Sequence, residues 1–304
     1  MADRPRIAIV GAGNLGSALA AALQRAGYPI DVIMGRSRSS SRKSSFKSSA
    51  KVRKLAKEVH ARALTDSLEG RRSDVIWFCV PDGEIRRAAE DLAARAGWSR
   101  AEWRKKIALH SSGALASHEL AALRRRGAAA ASVHPMMTFV GGKQPSVRDV
   151  PFAVEGDARA VRAARRIVRD LGGDAYAIRK ADKAAYHAWG MFASPLLTAL
   201  LATTERVAVL AGVKGKLARR RMMPILRQTL ENYATRDPGD AFSGPIIRGD
   251  VETMKEHLRV LRGIPSAREV YVALAQAALN FLPAKNRSAL RRVLQSQKIA
   301  NDKE

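Results

Sequence analysis

Apolar residues are distributed along the chain in two regimes. Up to about residue 180 they come in short runs closed by glycine or proline. Arg6-Ile-Ala-Ile-Val10 stops at a glycine, Ile30–Met34 has strand length, and Val75–Val80 is apolar throughout before Pro81-Asp82-Gly83. Lys106–His110, Ala129–His134, Pro151–Glu155 and Ala175–Ile178 are further runs of strand length. Short runs without polar alternation suit strands buried on both faces, as in a parallel sheet. Between them, Ser17–Ala26, Ile85–Ala96 and Ala158–Leu171 carry apolar positions at helical spacing. The alternation predicts an α/β domain with a Rossmann-like, doubly wound and mostly parallel sheet over residues 1–179.

From Lys180 only the helical period survives. Asp182–Ala211, stopped by Gly212, is followed by Leu217–Ala234, Val251–Arg262 and Ser266–Leu282. An all-helical domain is expected over 180–304. Its most apolar stretch, Ala188–Ala202, contains Ser194, Pro195 and Thr198. That stretch is shorter than the roughly 20 residues a membrane-spanning helix needs. The N-terminus shows no signal-peptide layout, so a cytoplasmic protein without a membrane partner is expected.

Composition narrows the function classes. Hydrophobic residues at 46% and charged residues at 27% provide for a globular core. The single cysteine, Cys79, excludes an internal disulfide, a cysteine zinc site and an iron–sulfur cluster, and no other metal-ligand spacing occurs. The formal net charge is +26, a field that attracts anions of every kind. The excess is spread over the chain with one dense spot, a basic, serine-rich loop at 36–51 that cannot bury apolar area and is expected to be mobile. Spread of this kind argues against a nucleic-acid footprint.

The chemistry starts at Gly11-Ala-Gly13-Asn14-Leu15-Gly16, which follows the first strand directly and opens a helix. Gly11 permits the tight turn, Gly13 the approach of a pyrophosphate, and Gly16 close helix–strand packing. The amides at Asn14 and Leu15 then face the anion at a helix N-terminus. A dinucleotide site is predicted. An NAD site carries an acid at the tip of the second strand; here Met34 and Gly35 lead into Arg36 and Ser37, while Asp31 comes too early. A guanidinium and a hydroxyl suit a 2′-phosphate, so NADP is expected over NAD.

Further segments carry a resemblance. They are Val80-Pro-Asp-Gly83, His110-Ser-Ser-Gly113, His134-Pro135 with Phe139, Asp182-Lys183 with Tyr186-His187, and Gly244-Pro-Ile-Ile-Arg-Gly-Asp250. With the glycine motif they resemble the bacterial family that pairs a Rossmann-like oxidoreductase domain with a C-terminal domain of unknown function. That family lies within the 6-phosphogluconate-dehydrogenase-like superfamily, and the chain is similar to β-hydroxyacid dehydrogenases and pyrroline-5-carboxylate reductases. The resemblance implies that Val80 and Pro81 pass the nicotinamide ribose and that Ser112 holds a substrate carboxylate. It makes Lys183 the catalytic lysine and places His187 where the hydroxyacid enzymes carry asparagine; His187 is the second catalytic candidate, able to orient a carbonyl or imine or to donate a proton. His134, at a strand end, and Arg248, able to clamp an anion, are the remaining substrate-binding candidates; Asp250 should cap the next helix.

The expected function is an NADP-dependent oxidoreductase moving a hydride to or from a small anionic carbonyl, imine or hydroxy-acid substrate. The alternative is a non-catalytic NADP(H)-binding sensor or scaffold. A homodimer through the helical domain is expected, because the apolar first helix is too long for four helices to cover.

Overall fold

The computed structural model describes residues 4–35, 50–64, 72–141 and 145–295. Arg36, Ser37 and most of the basic serine-rich segment lie outside them. The chain divides into two compact units, 1–192 and 193–304.

The first unit is built on eight strands: β1 (Ile7–Val10), β2 (Ile30–Met34), β3 (Arg62–Leu64), β4 (Val75–Phe78), β5 (Ile107–His110), β6 (Ala129–Pro135), β7 (Pro151–Gly156) and β8 (Asp174–Ala177). They form one sheet in the order β3-β2-β1-β4-β5-β6-β7-β8. All pairings are parallel except β6 with β7. Helices cover both faces. On one, α1 (Asn14–Arg25), α2 (Ala50–Glu58) and α6 (Ala158–Asp170) bury Ile7, Ile9, Trp77, Val133 and Phe152. On the other, α3 (Asp82–Arg95), α4 (Arg100–Lys105) and α5 (Ala121–Arg126) bury Ala8, Val10, Ile76, Phe78 and Ala130. Alternate residues of one strand enter opposite cores, which is why its sequence is apolar without alternation.

Three short elements of this unit escaped the sequence pattern. β3 has only three residues, one of them buried, and α4 and α5 only six each, too few to show a period. In addition, α2 begins at Ala50, inside the segment 36–51 expected to be a loop.

After β8 comes α7 (Lys183–Met191), a π-helical turn over Phe192–Leu196 containing Pro195, and α8 (Leu197–Leu210). The boundary expected at 180 therefore moves. α7 belongs to the sheet unit because Lys183 and Tyr186 bury their side chains there. The 15-residue apolar limit also needs correction. Lys180–Leu210 is helical over 31 residues and contains an 18-residue stretch of mean hydropathy 1.2, enough by length and composition alone to cross a membrane.

The second unit adds α9 (Gly215–Thr235), α10 (Pro238–Ala241), α11 (Pro245–Arg248), α12 (Val251–Val260), α13 (Pro265–Phe281) and α14 (Arg287–Gln295). Its core is small: Met254, Leu258, Ala275, Leu279, Leu290 and Leu294, all from α12, α13 and α14. α8 buries none of its residues and α9 only Ala218.

Candidate active site

The strand order reverses between β1 and β4, and ligands of doubly wound sheets bind outside the C-terminal ends of strands at such a switch point. The glycine loop leaves β1 there. Gly11 has a φ of +110°, and a Cβ on it would sit 2.5 Å from the carbonyl oxygen of Cys79. A Cβ on Gly16 would lie 2.0 Å from the carbonyl oxygen of Gly11. Both positions are closed to any other residue. Gly13 differs, since a Cβ there would meet nothing within 4 Å. Its missing side chain leaves open space beside the first turn of α1, which has neither a side-chain cap nor an acidic residue. An uncapped helix N-terminus facing open space fits a pyrophosphate.

The neighbouring residues agree with that fit. Val80 lies against Gly11, and Pro81 is exposed where β4 runs into α3. Leu15 turns its side chain into the core, leaving its amide as the group that can reach a ligand. Asn14 donates from Nδ2 to the carbonyl oxygen of Phe139 at 3.0 Å, tying the glycine loop to the segment after β6. Asp31 is occupied at the opposite end of β2, accepting from Arg62 (3.0 Å) and Ser73 (2.8 Å). No acid stands at the β2 tip, Met34-Gly35.

A second cluster gathers where β5 and β6 end. Lys183, the first residue of α7, is only 2% exposed. Its Nζ donates to the carbonyl oxygen of Ser112 and to Oγ of Ser132, both at 2.7 Å. Burial pushes its pKa down to about 8, against the opposing pull of Glu155 and Asp82. His134 and Tyr186 join Nδ1 to the hydroxyl at 2.7 Å with their rings edge to face. Burial, then the charges of Lys183, His187 and His110, lower His134 to about 4, so it is neutral at pH 7. A Cβ on Gly113 would come within 2.9 Å of both His134 Nε2 and His187 Cδ2, so both imidazoles close on that glycine. Lys183, His187 and His134, from distant parts of the sequence, are thus brought together.

Ser112 is engaged within the fold. Its hydroxyl donates to Asp82 Oδ2 (2.8 Å) and accepts from the amide of Leu115 (2.8 Å), and its own amide donates to His110 Nδ1 (3.2 Å). No free donor remains for the carboxylate it was expected to hold; its carbonyl anchors Lys183 instead. The neighbouring Ser111 hydroxyl is likewise occupied, accepting from Trp77 Nε1 at 2.8 Å. Arg248 is exposed at the end of α11 in the second unit. Its segment has a local explanation: Gly249 takes a φ of +73°, and Asp250 caps α12 by accepting from the amide and hydroxyl of Thr253.

Three participants were missed or underused by sequence reasoning: Ser132, Asp82 and Tyr186. Ser132 did leave a signal. It is the lone hydroxyl in the buried run Ala129-Ala-Ala-Ser132-Val133, and a buried polar group in a strand needs a partner. Asp82 was visible only as part of a turn, and the contact between Tyr186 and His134 spans 52 residues.

Residues 2–135 match the family model of a Rossmann-like domain, and residues 150–278 match a domain of unknown function, DUF2520. The chain belongs to the family that joins these two domains. No curated protein matches it in sequence. Among solved structures, this Rossmann-like/DUF2520 protein is similar to protein BF3122 of Bacteroides fragilis, assigned as an NADP oxidoreductase. That match has 20% identity and a TM-score of 0.72, and covers 90% of this chain and 98% of that one. Protein TM1727 of Thermotoga maritima matches at 24% identity and TM-score 0.66, over 96% and 99% of the two chains. A variant of the Myxococcus stipitatus imine reductase, in complex with NAD+, matches at 18% identity and TM-score 0.59, over 96% and 99%. These likenesses establish the fold, including the order of sheet and helices.

Proposed function

We propose that this Rossmann-like/DUF2520 protein is an NADP(H)-dependent oxidoreductase that reduces, or oxidises in reverse, a small carbonyl, imine or hydroxy-acid substrate carrying an anionic group. The observation that carries the proposal is Lys183. A lysine almost completely buried beside the strand ends, with no carboxylate among the described residues bonded to its ammonium and a pKa of about 8, is poised to exchange a proton near neutral pH. The glycine loop would hold the pyrophosphate through the first-turn amides of α1, and Val80 and Pro81 would flank the nicotinamide ribose. When bound, the cofactor supplies the hydride, a step that needs the reacting carbon held close and water excluded. Lys183 would deliver the proton to the oxygen or nitrogen that becomes basic as the carbon is reduced. His134 and His187 line the same place as donors for the anionic group. The names of the similar structures, an NADP oxidoreductase and an imine reductase, support this reading.

The apolar surface of the second unit supports a homodimer. Phe281 is 84% exposed and Ile225 68%, with Leu230 and Tyr233 also uncovered on α9 and Val209 and Leu210 on α8. Glu205, midway along α8, carries a two-point pair with Arg219 (2.7 and 3.2 Å), an arrangement suited to a protein partner rather than to lipid.

The test is identification of any nucleotide carried by the purified protein, followed by a screen for NADPH oxidation with keto acids and cyclic imines. Turnover of one such substrate is expected. Failure to bind either nicotinamide cofactor would overturn the proposal.

A further inference from the structure

We propose that Ser132 is a positioning residue: its hydroxyl, together with the Ser112 carbonyl, decides which proton of Lys183 is given to the substrate. The inference rests on the reading of Lys183 as the proton carrier and adds the group that aims it.

Ser132 is fully buried in β6, where its register partners are His110 on β5 and Glu155 on β7. Its three predecessors in the strand are alanines, so packing alone does not call for a hydroxyl. The hydroxyl donates to the Ser112 carbonyl oxygen at 3.2 Å. With its proton committed there, it faces Lys183 only as an acceptor, and Lys183 Nζ approaches at 2.7 Å. The same carbonyl oxygen accepts a second Lys183 proton, also at 2.7 Å. Lys183, Ser132 and Ser112 thus close a triangle of hydrogen bonds.

The triangle has a chemical consequence. An ammonium has three protons, and two are held by short bonds to fixed acceptors. The tetrahedral nitrogen then fixes the direction of the third. Because Ser132 has no proton to return, the neutral amine keeps its two anchored N–H bonds and places its lone pair where the third proton was. Loss and recovery of the proton therefore take place along one direction, with no rotation of the lysine.

Other groups around Lys183 act differently. Asp82 on α3 bonds to the Ser112 hydroxyl and Glu155 to the Ser117 amide and hydroxyl, so both act on the lysine only through their charge. The charge of Lys183 lowers His110 and His134, and Tyr186 contributes a ring 5.9 Å from Nζ. Ser132 is the side chain that touches the nitrogen.

Three variants of the full-length protein, Ser132→Ala, Ser132→Thr and Lys183→Met, provide the test. The Lys183 titration is followed by carbon NMR of ε-labelled lysine, with Lys183→Met assigning the signal, and the pH profile of kcat is recorded with the substrate that emerges from the screen. Removing one charge-assisted acceptor should lower the Lys183 titration by about one pH unit in Ser132→Ala. kcat should fall about tenfold, with the Kd for NADPH unchanged. Ser132→Thr retains the oxygen and should restore both values; if the alanine variant fails to fold, a threonine variant with wild-type titration and kcat still supports the role, and one with both displaced opposes it. A Lys183 titration and pH profile indifferent to Ser132→Ala would overturn the positioning role alone. Full activity in Lys183→Met would instead overturn the reading of the lysine, whatever Ser132 does to its titration.

Discussion

Replacing Lys183 with methionine separates chemistry from stability, because the two should respond in different directions. Methionine keeps the stem's packing volume and removes the ammonium. The fall in the lysine's pKa from 10.5 to about 8 measures how much the folded protein disfavours the charge, about 3 kcal/mol. The unfolded chain binds more protons between those two values, so stability rises with pH across that window. The penalty is fully present below about pH 8. Methionine removes it. Against that gain, the variant loses the donors to the Ser112 carbonyl oxygen and to Ser132 Oγ. The carbonyl keeps its bond from Ser132, so the loss is about 1–2 kcal/mol. At pH 7 the variant should melt at the wild-type temperature or slightly above it. Turnover should fall about 100-fold or more, the usual size of a general acid–base contribution, with cofactor affinity unchanged. Calorimetry and NADPH-oxidation kinetics measure the two effects on one preparation. Full turnover would refute the assignment of the proton carrier. A collapse of the melting temperature alongside lost turnover would refute the separation, and Lys183 would then be a structural residue.

Three further outcomes are expected. In the reductive direction Lys183 must be protonated, so kcat should decline above about pH 8, while the oxidative direction should gain over the same range; parallel profiles would count against the lysine. NADP(H) should bind at least about tenfold more tightly than NAD(H), within the reach of one charge-assisted phosphate contact, and Arg36→Ala should erase the preference in calorimetric titration. Light scattering at micromolar concentration should give a dimer, and Ile225→Glu, placing a charge on the uncovered face of α9, should shift it towards monomer; a wild-type monomer would refute the proposed interface.

Much of this architecture was legible before the fold was known. Seven of the eight strands announce themselves as short runs of strand length, six of them because a strand buried in the sheet admits few polar residues, and the glycine motif because Gly11 and Gly16 leave no room for a Cβ. Lys183 and His187 could be paired from sequence because one helical turn separates them. Such signals are local: each follows from the space around one residue or the period of one element. The end of the sheet unit was misplaced at 180, since α7 has a helical sequence but is held by what Lys183 and Tyr186 touch far away in the chain. Ser112 illustrates the same limit. Its sequence position suggested a free hydroxyl at a strand end, yet Asp82, 30 residues earlier, takes its proton and leaves only its carbonyl for Lys183. A residue's type and spacing determine what it can donate or accept. Which partner uses that capacity depends on strand order and register, because hydrogen bonds form between groups about 3 Å apart in space, however distant in the chain.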